Sequence, residues 1–235
     1  MKIIKGCVFF LFFLNMVGCS YRAIYDIGLS EVERPLDAKN RYGEQKIVSF
    51  EDKNEDETVT KHKFEDGMIE IVGVVTPDDF LFTLRNKTEH SIKIIWDESV
   101  YVDENGESKR IMHTGVKYFF KTLSQVPTTI VSGASVTDSI IPVGNVYYAG
   151  ERGWIKEKLL PEWREWIEVG IRKEKVSDFQ KRVSGLIGKN MRLLLALQIE
   201  GITNDYVFSF IINDVEVKKE QPKRPKNHVL GIPLD

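Results

Sequence analysis

A succession of short β-branched runs, each closed by a turn signal, constrains this chain more than any other feature. Met68-Ile69-Glu70-Ile71-Val72-Gly73-Val74-Val75 lies between Gly67 and Pro77, and such a run between breakers reads as a strand. After the Asp78-Asp79 turn comes Phe80-Leu81-Phe82-Thr83-Leu84. Strand side chains alternate between faces, so Phe80, Phe82 and Leu84 share one face and demand a core. Ser91 to Val102 reads as one strand whose even positions, Ile92, Ile94, Trp96, Val100 and Val102, point the same way. Asp103-Glu104-Asn105-Gly106 signals a hairpin, because Asn and Gly accept positive φ, and Lys109 to His113 returns antiparallel. Pro127–Val131 and Ala134–Ile141 are further strands, and Val146-Tyr147-Tyr148 is a short aromatic one at an edge. Met191–Ile199 and Tyr206–Ile212, on either side of Gly201–Asp205, make a closing hairpin.

Residues 149–190 interrupt this pattern. Charges and tryptophans crowd the segment, and Val176, Phe179, Val183, Leu186 and Ile187 recur at helical spacing. Ser177 reads as the N-cap of that helix and Gly188 as its end. Many short strands, one helical insertion near 155–188 and no strand–helix alternation give a mainly β fold, an antiparallel β-sandwich.

The N-terminus is of another kind. Lys2 and Lys5 precede the apolar run Val8–Leu14, which is shorter than the ~20 apolar residues of a spanning helix. A basic start and a short apolar core are the layout of a secretory signal peptide. Its last four residues, Met16-Val17-Gly18-Cys19, resemble the lipobox of bacterial lipoproteins, with Met where that family prefers Leu. The resemblance implies removal of 1–18 and a multiply acylated Cys19 as the mature N-terminus. Two or more acyl chains make such an attachment stable. It also implies an envelope location. In an organism with two membranes, Ser20 rather than Asp after the cysteine points to the outer membrane, facing the periplasm.

The expected organisation is therefore a leader over 1–18, a tether over 19–45, a β-sandwich over 46–215 with its insertion at 149–190, and a mobile basic tail over 216–235. The chain holds two cysteines, Cys7 and Cys19. One leaves with the leader and the other carries lipid, so stability must come from core burial without a disulfide. Trp96 is similar in placement to the buried tryptophan of immunoglobulin domains, though the flanking cysteine pair is missing. The segment from Phe80 to Tyr148 resembles small bacterial lipoproteins with an immunoglobulin-like sandwich. That likeness implies a fold and names no catalytic residue.

Recognisable chemistry is sparse. With 33 Lys and Arg against 35 Asp and Glu, the chain has no electrostatic case for nucleic acid. A metal site or cofactor is not expected: the His and Cys spacing of zinc sites and the phosphate-cradling glycine motifs are missing. His113, at a strand end near Asp97 and Glu98, is the best-placed histidine, and a turn histidine with one hydrogen bond is the preferred reading. No catalytic residue is assigned. The candidate interaction surface is Tyr147, Tyr148, Arg152, Trp154, Trp163 and Trp166, since Tyr, Trp and Arg are enriched at interfaces. The leading expectation is a lipid-anchored, non-enzymatic envelope protein that binds another envelope protein. The alternatives are a carbohydrate- or peptidoglycan-binding module that stacks sugars on exposed rings, and an unrecognised hydrolase.

Overall fold

In chain order the strands are β1 (Ser20–Glu33), β2 (Lys46–Lys53), β3 (Thr58–Glu65), β4 (Ile69–Val75), β5 (Phe80–Asn86), β6 (Ile92–Ile94), β7 (Val100–Val102), β8 (Ser108–His113) and β9 (Thr128–Ile130). They continue with β10 (Ser135–Pro142), β11 (Val146–Tyr148), β12 (Trp154–Lys156), β13 (Trp166–Ile167), β14 (Arg172–Lys173), β15 (Asn190–Ile199) and β16 (Ile202–Glu220). Among the described residues two α-helices, α1 (Ala38–Tyr42) and α2 (Val176–Ser184), accompany the strands. The structure is a computed structural model that describes residues 20–36, 38–53, 58–163, 166–167 and 172–220.

The mainly β, antiparallel expectation holds. The division into two facing sheets does not. β8 pairs with β7 on one side and with β10 on the other, stitching the strands into one path, β1-β16-β15-β7-β8-β10-β5-β4-β3-β2. That path curls until β1 approaches β3, giving a nearly closed sheet around one core. The alternation legible in β5 is real: Phe80, Phe82 and Leu84 are buried while Leu81 and Arg85 face out. From across the core, Phe64 meets Tyr206 and Phe208 edge-on, with ring centroids 6.0 and 5.7 Å apart.

Several expectations are corrected. Residues 20–33 are no tether but a 14-residue strand paired along its length with β16. Its apolar residues are few, but Ala23, Ile27 and Val32 are buried, and the backbone ladder supplies what hydrophobicity lacks. The expected strand 91–102 is interrupted by a single 3₁₀ turn at Trp96–Glu98. The turn reverses the parity beyond it, so Tyr101 is buried while Val100 and Val102 are only half-buried. The closing hairpin turns on Glu200 and Gly201, with φ of 52° and 81°, and Ile199 pairs with Ile202. Such two-residue turns need positive φ and match the strand twist, so 202–205 is strand rather than loop.

Among the described residues the insertion forms an α-helix only over 176–184, where Phe179 and Val183 are buried. Ser177 lies inside that helix and Lys175 is its N-cap. The helix closes at Gly185, and Gly188, at φ 79°, is a later turn whose N–H reaches the Ile212 carbonyl. The first part of the expected tail, 216–220, belongs to β16. The leader, Cys19 and residues 221–235 lie outside the described residues.

Candidate functional site

The sheet's free edges decide where a site forms. β3 pairs with β2 along its whole length but with β4 only from His62 to Glu65, where the ladder ends at Gly73. Beyond that point β3 swings away, leaving Val74 and Val75 of β4 paired only with β5. β1 is the opposite edge of the sheet. Between them lies an open cavity of about 470 Å³. Arg22 to Ile27 form one wall, Val59, Thr60, Val74 and Val75 the other, and Asp214 and Glu216 of β16 a third side.

His62 crosses the seam at the inner end of this groove. Its Nε2 donates to the Ile27 carbonyl at 2.8 Å, which fixes the neutral tautomer, and its Nδ1 accepts from the Ser49 hydroxyl at 2.8 Å. Burial pushes its pKa below the ordinary histidine value, because a charged imidazolium would be stripped of water there. The groove is acidic: Asp26, Glu51, Asp214 and Glu216 line it. Arg22, the single basic side chain in that lining, donates from Nε to Glu162 at 2.7 Å.

A strap over 156–163 closes the outer end. Leu159 N–H donates to the Pro77 carbonyl at 2.7 Å, and Ala23 N–H to the Glu162 carbonyl at 2.6 Å. The segment thus joins the β4–β5 turn to the first residues of β1. Tyr25 Oη donates to the Pro161 carbonyl at 2.5 Å, and its pKa is raised by burial. Buried Leu160 seats the strap in the core, and the buried Glu162 carboxylate is held by Arg22 and Lys158. Lys156 and Lys158 in turn reach Asp79 and Asp78 at 3.3 and 3.1 Å.

At the far end of the seam a buried knot fastens the same edges. The Asp66 side chain accepts from Met68 N–H at 2.8 Å, Ile69 N–H at 3.0 Å, Tyr206 Oη at 3.2 Å and Arg34 Nη1 at 3.4 Å. Tyr42 Oη bonds the Asn204 side chain beside it. Burial, then the charge of Asp66, raises the Tyr206 pKa. Gly67 N–H donates to the Tyr42 carbonyl at 2.7 Å, and a Cβ on Gly67 would stand 2.5 Å from that oxygen.

The expected interaction surface is divided. Tyr147, Tyr148 and Trp154 meet on the β11–β12 hairpin, and Arg152 lies in the turn that joins its strands. Tyr148 and Trp154 rings are 5.6 Å apart and inclined at 65°. Tyr118, which the sequence did not single out, joins them at 6.1 Å and 58° from Trp154. Trp163 belongs elsewhere: it is bridged to Arg22, whose guanidinium lies 5.8 Å from its ring centre. Trp166 pairs with Lys173 through its backbone, and its side chain lies outside the described residues. The groove itself carries no motif; only the acidic residues and β-branched valines were visible, scattered over five strands.

His113 does more than a turn histidine. Its Nδ1 lies 2.9 Å from Asp138 Oδ2, and its ring stacks on Trp96 at 4.2 Å and 5°. Asp97 is drawn instead to Arg110 and Ser124. The nearby hydroxyls of Thr114 and Ser139 bond each other at 2.9 Å, and Asp138 Oδ1 accepts from Thr114 and Ser139 N–H. A nucleophile needs its hydroxyl on the base, and here the hydroxyls are turned to one another. The cluster ties β8 to β10. No family model matches the chain, and neither a curated protein nor a solved structure matches it.

Proposed function

We propose that this protein is a lipid-anchored, non-enzymatic binding protein of a bacterial cell envelope, held through Cys19 and facing the periplasm in an organism with two membranes. Its ligand is an extended, basic segment of another envelope protein, bound in the groove between β1 and β4. One observation carries this reading: the groove opens between β1, an edge strand of the sheet, and β4, whose ladder with β3 stops at Gly73, and its rim is acidic. Strand edges bind extended peptides through backbone hydrogen bonds, and side-chain pockets add specificity. Glu51 and Glu216 already pair with Lys53 and Lys218, so Asp26 and Asp214, beside a guanidinium engaged by Glu162, are the carboxylates that favour a cationic visitor, and complementary charge directs encounter and choice of partner.

The test is a photo-activated crosslinker placed at Thr60 in the native cell. The reading expects a crosslink to a Lys- or Arg-rich segment of one partner. The synthetic segment should then bind the purified protein, and Asp26→Lys with Asp214→Lys should weaken it about tenfold or more, an effect that salt screens. An acidic or apolar segment, or affinity indifferent to the charge reversal, refutes the groove assignment.

A further inference from the structure

The end of the sheet where β1 begins also carries a large apolar surface. β10 reaches that end at Pro142, as does the β4–β5 turn, which the strap joins to Ala23. The β11–β12 hairpin follows β10 directly, and Asn145 at its base contacts the Glu157 and Lys158 carbonyls at the start of the strap. The 118–123 loop is drawn to the same place, because Lys121 Nζ donates to the Val143 and Val146 carbonyls. Together they leave Phe119 75%, Phe120 45%, Tyr148 63% and Trp154 38% exposed, with Leu123 at 56% beside them. Ser20 pairs with Glu220 at this end, one residue beyond Cys19.

Such contiguous exposed rings mark a contact surface rather than ordinary scatter. Their chemistry is that of a membrane interface: Trp and Tyr carry an apolar ring with one polar atom and settle at headgroup level. Phe119 and Phe120 supply apolar wedges, and Lys117 and Arg152 add cations that anionic headgroups attract. Because residue 20 already belongs to the sheet, a lipid on Cys19 leaves no spacer. The domain then lies against the bilayer, and the end it presents is this one.

We propose that Tyr118, Phe119, Phe120, Tyr148 and Trp154 form a second, non-covalent contact with the bilayer surface that sets the orientation of the domain. The proposal rests on the lipid-anchor reading for its biological setting, but the surface is testable without the lipid. The chain from residue 19 onward, carrying Cys19→Ser, is mixed with vesicles of phosphatidylethanolamine and phosphatidylglycerol and sedimented. It should partition onto them, and brominated lipid should quench fluorescence that Trp154→Phe removes. Phe119→Asp with Phe120→Asp should reduce partitioning about tenfold or more, since amphipathic binding follows buried apolar area. Ile202→Asp, an exposed apolar side chain at the opposite end of β16 from Glu220, should leave it unchanged. Circular dichroism confirms that each variant is folded. Failure of the folded chain to partition, or partitioning indifferent to the Phe pair, overturns the proposal, as does a crosslink from residue 119 to protein alone in native envelopes. The anchor reading is judged separately, by the mass of Cys19 in protein isolated from cells.

Discussion

The two ends of the seam between β1 and β3 are fastened by different physics. At the far end the fastening is buried: one carboxylate gathers two backbone N–H groups, a tyrosine and an arginine. At the near end a strap from a different part of the chain spans the gap, with solvent beneath it in the groove. A buried, fully satisfied polar cluster is rigid because losing any member leaves another group unpaired. A strap held by a few backbone bonds, one leucine and ion pairs whose partners are largely part-exposed opens more readily. The comparison teaches that the groove can be adjustable without loosening the core, since His62 separates it from the knot.

The largest expected effect is at the knot. Asp66→Ala leaves two backbone donors and the Tyr206 hydroxyl without this acceptor and Arg34 with the Gly43 carbonyl but no carboxylate, and breaking a buried pair costs about 3–5 kcal/mol. Denaturant unfolding followed by tryptophan fluorescence should show that loss. Gly67→Ala should be comparably severe, because its Cβ would meet the Tyr42 carbonyl. If either proves milder than the strap variants, the ranking of the two ends is wrong.

Next comes the strap. Leu160→Ala removes its one deeply buried side chain, for a loss of about 2–3 kcal/mol. Limited proteolysis should then cut near 156–163 before the rest of the sheet. A cut elsewhere would mean that the strap is not an independent unit.

His62 gives a smaller, pH-dependent effect. Its folded pKa lies below 6.5, so in acid the unfolded chain binds a proton that the folded chain resists. Stability from this residue is complete above about pH 6.5 and declines as pH falls from there toward the folded value. His62→Gln should flatten that part of the pH–stability curve while lowering the plateau by about 1 kcal/mol. An unchanged slope would show that another group titrates. The smallest expected effect on stability is from Asp26→Lys with Asp214→Lys, within about 0.5 kcal/mol, although the same change should weaken binding of a basic segment about tenfold or more.

The strands with strong alternation were legible. β4, β5 and the Asp103–Glu107 turn announce themselves through β-branched runs and turn residues, and they need only their neighbours to be explained. β1 was not legible, because its three buried residues are separated by polar ones and by two bulges, between Asp26 and Ile27 and between Leu29 and Glu31. Its partner lies nearly two hundred residues away, and no local pattern encodes such pairing. The strap was read as helical insertion for the same reason: Leu160 and Glu162 acquire their roles only from Pro77, Arg22 and Ala23. Tyr147, Tyr148 and Trp154 were found by residue type alone. Tyr118 was missed because its partners lie beyond sequence neighbourhood, and the groove was missed because it is made of where ladders end.

Two independent fastenings hold the seam, with β1 a structural strand from its first residues. Amide hydrogen exchange, comparing the native protein with Leu160→Ala, distinguishes them. Ala23, Met68 and Ile69 should be protected in the native protein, and Ala23 alone should exchange faster in the variant. An unprotected Ala23 in the native protein, or equal acceleration at all three amides, would contradict that independence.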